Sequence, residues 1–287
     1  LIWQQPHPIW YAELCYRARP TVQTLKTYSD IVFETAEFMA SFAVWDAEKD
    51  RYVLGPPVIP AQENHKPEET INPAFELEYW HCGLKLANRW RQRLGMDIDT
   101  KWEDVANNLA SLPVDKGVYL AHENCPDTYI RFNFDHPSMV GAFGILPGEK
   151  VNITTMENTL DKILDTWQFE EMWGWDFPMM AMTAARLGRP ELAIDILLMD
   201  SPKNEYLPNG HNRQGDRVDL PLYLPGNGGL LFAIAMMTAG WDGCEDEDAR
   251  RLSERWKLGG KMGRLISNSI DENVYDCSAN SKVRFFQ

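Results

Sequence analysis

The chain reads as all-α, a series of paired helices whose long connections carry small β-hairpins. Three observations predict this. Apolar residues recur at three- and four-residue steps along most of the sequence. Strand alternation is confined to two short stretches, with no sandwich or barrel pattern and no Gly-rich phosphate loop after a strand. The connections 46–72, 113–150 and 200–226 are rich in Pro and Gly and exceed the ~12–15 residues beyond which a loop is usually functional.

Each element follows from a local signal. Between Thr21 and Ala43 a stripe of Val32, Ala36, Met39 and Phe42 or Ala43 predicts a long amphipathic helix. From Pro73 to Leu94, Phe75, Tyr79, Leu84, Ala87 and Trp90 predict a second, with Asn72 as N-cap and Pro73 at the first helical position. Thr100-Lys-Trp-Glu103 and Thr154-Thr-Met-Glu157 have capping-box spacing and open helices over 101–111 and 155–167. Phe177, Met180, Ala184 and Leu187 form another stripe, closed by Gly188, and Pro190 starts the next helix, to Met199. Asn227 to Ala239 reads as a buried helix led by two glycines. Arg51-Tyr-Val-Leu54 and Gly117-Val-Tyr-Leu120 are the two hairpin signals. The acidic run from Glu245 and the basic stretch from Arg250 to Arg264 show no packing pattern, so 244–287 is expected to be a C-terminal appendage behind a main domain of 1–243.

Composition narrows the function. Of 287 residues, 44% are apolar and 24% charged, enough for a sizeable core and unlike a disordered chain. The 28 Lys and Arg against 42 Asp and Glu give a net charge of −14, which repels nucleic-acid phosphates and anionic membrane surfaces. No run approaches the ~20 apolar residues of a membrane span. Five cysteines, Cys15, Cys82, Cys125, Cys244 and Cys277, are an odd number without a CxxC pair or metal-ligand spacing, so neither a disulfide framework nor a zinc site is expected. The start at Leu1, with no signal-peptide pattern, reads as a fragment or processed piece.

Eleven Trp, ten Tyr and twelve Phe are the more informative excess, because aromatic faces stack on the C–H faces of sugars as readily as they fill a core. Four clusters stand out. In Gly55-Pro-Pro-Val-Ile-Pro-Ala-Gln-Glu-Asn-His65 the prolines stiffen a loop that groups Gln62, Glu63, Asn64 and His65. A carboxyl held there among apolar neighbours suits a general acid, and equally a surface cap. In Trp173-Gly-Trp-Asp-Phe-Pro178, Asp176 falls at a helix N-terminus, where the dipole favours the ionised form of a base or of a plain N-cap. Trp173 and Trp175 beside it could be sugar platforms or core. The segment Asn209–Asp216 with Arg217, Asp219 and Leu224–Gly229 is dense in hydrogen-bonding groups, including His211, Asp216 and Asn227, and is either a ligand loop or a solvated one. Trp3-Gln-Gln-Pro-His-Pro-Ile-Trp10 places Trp3, Gln5 and His7 at a helix entrance. His122 and the pair Asp135-His136 stand alone and are read as structural. No Ser nucleophile elbow, P-loop or HExxH is present. The recurring set of Trp, Gln, Asn, His and carboxylate at helix ends matches a neutral polyol ligand.

The order of these landmarks resembles glycoside hydrolase family 65 and its relatives, including family 95, across residues 1–243. A helix containing Tyr-Ser-Asp-Ile-Val-Phe-Glu-Thr-Ala-Glu-Phe-Met39 and a hairpin precede Gly55-Pro and Gln62-Glu-Asn-His65. In the family a similar loop carries the general acid, a role that maps onto Glu63. Asn72-Pro-Ala-Phe, the Trp173-to-Gly188 segment and Pro225-Gly-Asn-Gly-Gly-Leu-Leu-Phe-Ala-Ile234 match later landmarks. The resemblance implies an (α/α)6 six-hairpin barrel, a toroid, here incomplete: the chain is too short for twelve barrel helices and lacks the preceding β-sandwich. Where the phosphorylases hold phosphate with Ser and His, this chain has Trp and Asp176, which points to hydrolysis.

The expected activity is therefore inverting glycoside hydrolysis of an oligosaccharide or glycan. Glu63 is the acid and Asp176 the first choice of base, with Asp216 and Asp219 behind it, the pair lying about 6.5–9.5 Å apart. Trp3, Gln5, His7, Gln62, His65, Trp173, Trp175, His211, Asp216 and Asn227 would bind substrate. The chemistry requires neither metal nor organic cofactor, and a periplasmic or secreted setting is preferred. The alternatives are a phosphorylase, a sugar isomerase or epimerase using His65, His122 or His211, and a non-catalytic carbohydrate-binding barrel.

Overall fold

A computed structural model describes residues 1–244, so all but the first residue of the expected C-terminal appendage lies outside the described residues. The described chain is mostly helical, as expected. Its helices are α1 (His7–Ala18), α2 (Val22–Phe42), α3 (Ala74–Arg93), α4 (Thr100–Asn108), α5 (Gly141–Gly144), α6 (Ile153–Thr166), α7 (Asp176–Arg186), α8 (Pro190–Leu197) and α9 (Leu224–Ala239). Three two-stranded antiparallel hairpins sit in the loops: β1 (Val44–Asp46) with β2 (Arg51–Val53), β3 (Val114–Asp115) with β4 (Val118–Tyr119), and β5 (Glu205–Tyr206) with β6 (Asn212–Arg213). The first two are the expected hairpins. The third carries no clear signal in the sequence, helix α1 starts within the helix entrance expected at Trp3–Trp10, and the loop 113–150 contains α5 and a short 3-10 turn at Ser138–Val140. None of the described helices is long and apolar enough to cross a membrane.

Sequence neighbours pair: α1 lies on α2, α3 on α4, and α7 on α8. The odd-numbered helices also touch in succession, α1 to α3, α3 to α5, α5 to α7 and α7 to α9. In α3, Leu77, Trp80, Leu84, Ala87 and Trp90 recur at three- and four-residue steps and are all completely buried. Trp80 Nε1 donates to the Met39 carbonyl of α2 at 2.9 Å, and Trp90 Nε1 to Glu13 of α1 at 2.8 Å, so two indoles fix α3 between its neighbours. Every residue of α7 except Arg186 is buried. By contrast, α2 buries only one stripe, Leu25, Val32, Ala36, Met39 and Ala40.

Three caps differ from expectation. Asn72 does not cap α3; its backbone is left-handed at φ 52°, and its side chain accepts from Leu54 N–H and donates to Glu123. Asp99, not Thr100, caps α4 by accepting from the amides of Lys101 and Trp102. Asn152 caps α6 by accepting from Thr155 N–H. In both helices an Asp or Asn lies just upstream of the threonine, and its planar oxygen reaches the first free amides.

Candidate active site

A cleft of about 610 Å³ opens where the odd-numbered helices begin. Its wall is supplied in turn by Trp3, His7 and Tyr11 of the α1 start, Ala61 and Glu63 before α3, Asp135 and His136 ahead of α5, Trp173 and Trp175 before α7, and Tyr223 with Pro225 at α9.

The Glu63 loop is tethered on both sides. Ala61 N–H donates to Glu76 Oε1 at 2.7 Å. The amide of fully buried Gln62 donates to the carbonyls of Phe132 and Phe134 at 2.6 and 2.7 Å, and its Oε1 meets His65 Nε2 at 3.0 Å. Asn64 Nδ2 donates to Asp135 Oδ2. Between these anchors Glu63 projects exposed into the cleft.

A three-membered relay borders the same cleft. Asp135 has a left-handed backbone, φ 59°, a strained conformation for a residue with a Cβ and one that clusters at functional sites. Its Oδ1 accepts from His136 N–H at 2.9 Å and lies 3.4 Å from His136 Nε2. His136 Nδ1 reaches Asp176 Oδ1 at 2.8 Å, and Asp176 Oδ2 accepts from Trp173 N–H at 2.8 Å. Trp175 Nε1 lies 3.0 Å from the same Nδ1. One ring nitrogen cannot donate to Asp176 and accept from Trp175 at once, so with its proton on Nδ1 the histidine serves Asp176, and the indole is a packing neighbour. Burial disfavours the imidazolium, but the carboxylates of Asp176, Asp135 and Glu63 outweigh it and hold His136 above its ordinary pKa. Burial also pushes Asp176 up, against the pull of His136.

Aromatic groups complete the walls. Trp3 and Trp175 lie nearly parallel, 19° between planes and 6.4 Å between centroids. Trp173 packs on Tyr223 at 5.4 Å, with Lys203 and Arg217 over its ring. Burial, followed by the three carboxylates, keeps the Tyr223 phenol protonated, so it offers a donor at the cleft. His7 Nδ1 bonds Tyr79 O–H at 2.8 Å, and burial lowers the His7 pKa.

Of the residues expected to form the site, Trp3, His7, Glu63, Trp173 and Trp175 meet in this cleft. Asp176 is a correction: it is fully buried with both oxygens engaged, and sits behind His136 rather than on the wall. Gln62 and His65 are buried braces. Gln5 is exposed outside the lining. His211 and Asn227 belong to a supporting knot, in which Asn227 accepts from Asn212 N–H and donates to the Gly210 carbonyl. At the centre of that knot buried Asn212 fills the space where a Cβ on Gly174 or Gly226 would stand, so both positions require glycine. Asp216 is fully exposed and Asp219 is paired with Arg217 at 2.6 Å, both away from the wall. Asp135 and His136, read from sequence as structural, instead line the cleft beside Glu63. Their one sequence signal is an acid–imidazole dipeptide ahead of Pro137 in a long loop. His122, also read as structural, lies beside His65 and Cys125; one ring nitrogen of each histidine and the Cys125 sulfur are all within 4.8 Å of one another.

Comparison with protein-family models and with curated proteins finds no match to this chain.

Proposed function

We propose that this cleft cleaves glycosidic bonds with inversion, Glu63 acting as general acid and Asp135, in place of Asp176, as general base. The observation that carries the reading is that Glu63 and Asp135 share one cleft walled by three tryptophans and two tyrosines. Inverting cleavage needs a carboxyl group to protonate the departing oxygen. It also needs a carboxylate on the opposite face of the sugar to take a proton from the attacking water. Glu63 is the exposed group of the two and is free to meet a glycosidic oxygen. Asp135 is a held acceptor: the His136 backbone and Asn64 fix both its oxygens, so its lone pairs keep a set direction. Against the effect of burial, Asp176, Asp135 and Glu63 raise the His136 pKa, and Asp176 orients the ring through Nδ1, which makes Asp176 a positioning residue. The indoles would stack on sugar C–H faces.

The succession of odd-numbered helices, flanked by α2, α4 and α8, is what part of a six-hairpin barrel would present. Helix α9 is apolar on every side yet leaves Leu231 and Ile234 exposed, a face that a further hairpin would cover.

Glu63→Gln and Asp135→Asn are each expected to cut turnover of α- or β-linked aryl glycosides by about 10³-fold without unfolding the chain. The first sugar released, followed by NMR, should have the anomeric configuration opposite to the substrate. Full activity in Glu63→Gln defeats the proposal, and dependence on added phosphate would make the enzyme a phosphorylase. A second reading, a sugar isomerase or epimerase, is favoured by one observation: the His136–Asp176 couple, a general base with its orienting acid, abuts the cleft. Retained turnover in Glu63→Gln together with loss in His136→Asn would select it.

A further inference from the structure

Cysteine spacing gives no zinc signal, yet the fold brings three ligand types together from two loops. His65 comes from the loop before α3, and His122 and Cys125 from the turn after β4. The turn itself is rigid. Cys125 N–H donates to the His122 carbonyl at 3.0 Å, and the Thr128 hydroxyl accepts from Ala121 N–H and donates to the Cys125 carbonyl. Glu123 N–H to the Ile71 carbonyl, and the Asn124 amide to the Glu69 carbonyl, bind this turn to the loop that carries His65. All three side chains are buried, at 5%, 4% and 1% exposure, so the cluster is closed to bulk water. The two imidazoles meet edge to face with centroids 4.7 Å apart. Most telling, His122 Nδ1 is buried and has no hydrogen-bond partner among the described residues. A buried polar nitrogen left unpaired costs about 1–3 kcal/mol, and such atoms are rare in folded proteins.

We infer that His65, His122 and Cys125 bind a divalent cation of the zinc class, in a closed structural site that pins the Glu63 loop to the 122–128 turn. Two imidazoles and a thiolate suit zinc or cobalt(II) and are poor ligands for magnesium or calcium. Zinc bonds of about 2.0–2.3 Å set tetrahedral donors about 3.3–3.6 Å apart, so donors that now lie within 4.8 Å must close by up to about 1.5 Å on loading. Cys125 would bind as thiolate and release its proton to solvent. Its sulfur makes a long contact, 3.6 Å, to Asp127 Oδ1. The site depends on these residues alone, whatever reaction the cleft performs.

The test is cobalt(II) titration of the reduced, chelator-stripped full chain. One equivalent should produce a thiolate-to-cobalt charge-transfer band in the near ultraviolet with tetrahedral visible bands, all displaced by zinc. Cys125→Ser should abolish the charge-transfer band, His122→Gln should weaken binding by about tenfold or more, and Cys15→Ser, at an exposed thiol, should change nothing. If Cys125→Ser fails to fold, zinc K-edge absorption of the stoichiometrically loaded wild type decides, the expected shell being two nitrogens and one sulfur. Absence of the band, a band that survives Cys125→Ser, or a shell without sulfur overturns the site.

Discussion

Glu13 and Asp176 are both completely buried carboxylates, and they do opposite things. Glu13, in α1, accepts from Arg17 Nε at 2.6 Å, from Arg93 Nη1 and Nη2 at 2.5 and 3.0 Å, and from Trp90 Nε1 at 2.8 Å. Burial alone would raise its pKa, but these donors, Arg93 first, hold it below the ordinary value. Asp176 has a single imidazole and one backbone amide, and there burial wins. A guanidinium keeps its proton at any pH the protein survives, whereas an imidazole exchanges its own near neutrality. The first arrangement is a closed clamp between α1 and α3. The second passes charge through His136 to Asp135 on the cleft wall. A buried carboxylate is a functional candidate when its counter-charge can titrate and touches open space.

The comparison breaks most visibly at Asp176. Asp176→Asn keeps the shape but removes a charge that raises the His136 pKa. Turnover on the best glycoside should fall by about 10²–10³-fold while the melting temperature moves little. The sign of the pH effect follows from the groups around the ring. Asp176, Asp135 and Glu63 raise the His136 pKa and burial lowers it, so losing Asp176 drops it. The alkaline limb of the activity profile should then move to lower pH. An unmoved limb with full turnover would make Asp176 a mere cap. Glu13→Gln should do the reverse. Breaking one side of a buried ion pair costs about 3–5 kcal/mol, here toward the lower end because both arginines keep partial solvent contact. Urea denaturation should show that loss, with kcat/KM per folded molecule within about twofold. A catalytic defect without a stability defect would erase the distinction between the two carboxylates.

The same contrast explains what the sequence could reveal. Helices α2, α3 and α6 through α8 carry their own signals: an apolar stripe, a start such as Pro190, a stop such as Gly188. Cleft residues at helix starts were legible for the same reason, since Trp3, His7, Glu63, Trp173 and Trp175 stand out against the periodic segments they introduce. Asp135 and His136 were not. They lie in an irregular loop, and His136 gains its role only when Asp176, forty residues later, folds against it. The converse error concerns Gln62, His65 and Asn227. A long loop has backbone groups that no helix pairs, and buried amide side chains are recruited to satisfy them. From sequence, an amide that braces carbonyls looks the same as one that waits for a sugar hydroxyl. The contact between His65, His122 and Cys125 was invisible for a further reason: its ligands are separated by more than fifty positions, and no short spacing encodes that distance.

Glu76 sharpens the comparison from a third side, as a buried carboxyl with no side-chain ion pair among the described residues. It is fully buried in α3; Oε1 accepts from Ala61 N–H, and Oε2 has no hydrogen-bond partner among the described residues. Burial raises its pKa to about 7. Because this value lies above that of the unfolded chain, near 4.5, the folded state holds the proton more tightly. Its contribution to stability is therefore complete below about pH 4.5 and lost as pH rises through about 7, a change of at most about 3 kcal/mol. Glu13 runs the other way, stabilising above the unfolded carboxylate pKa and failing as pH falls through its lowered folded value. Glu76→Gln imitates the protonated form and cannot titrate. Urea denaturation of wild type and Glu76→Gln in parallel should find the two similar near pH 4.5, with the wild type falling progressively below the variant toward pH 8. A difference that stays flat across that range would mean that Glu76 is ionised in the folded state and that a cation or water reaches Oε2. Burial without a counter-charge would then no longer separate it from Glu13.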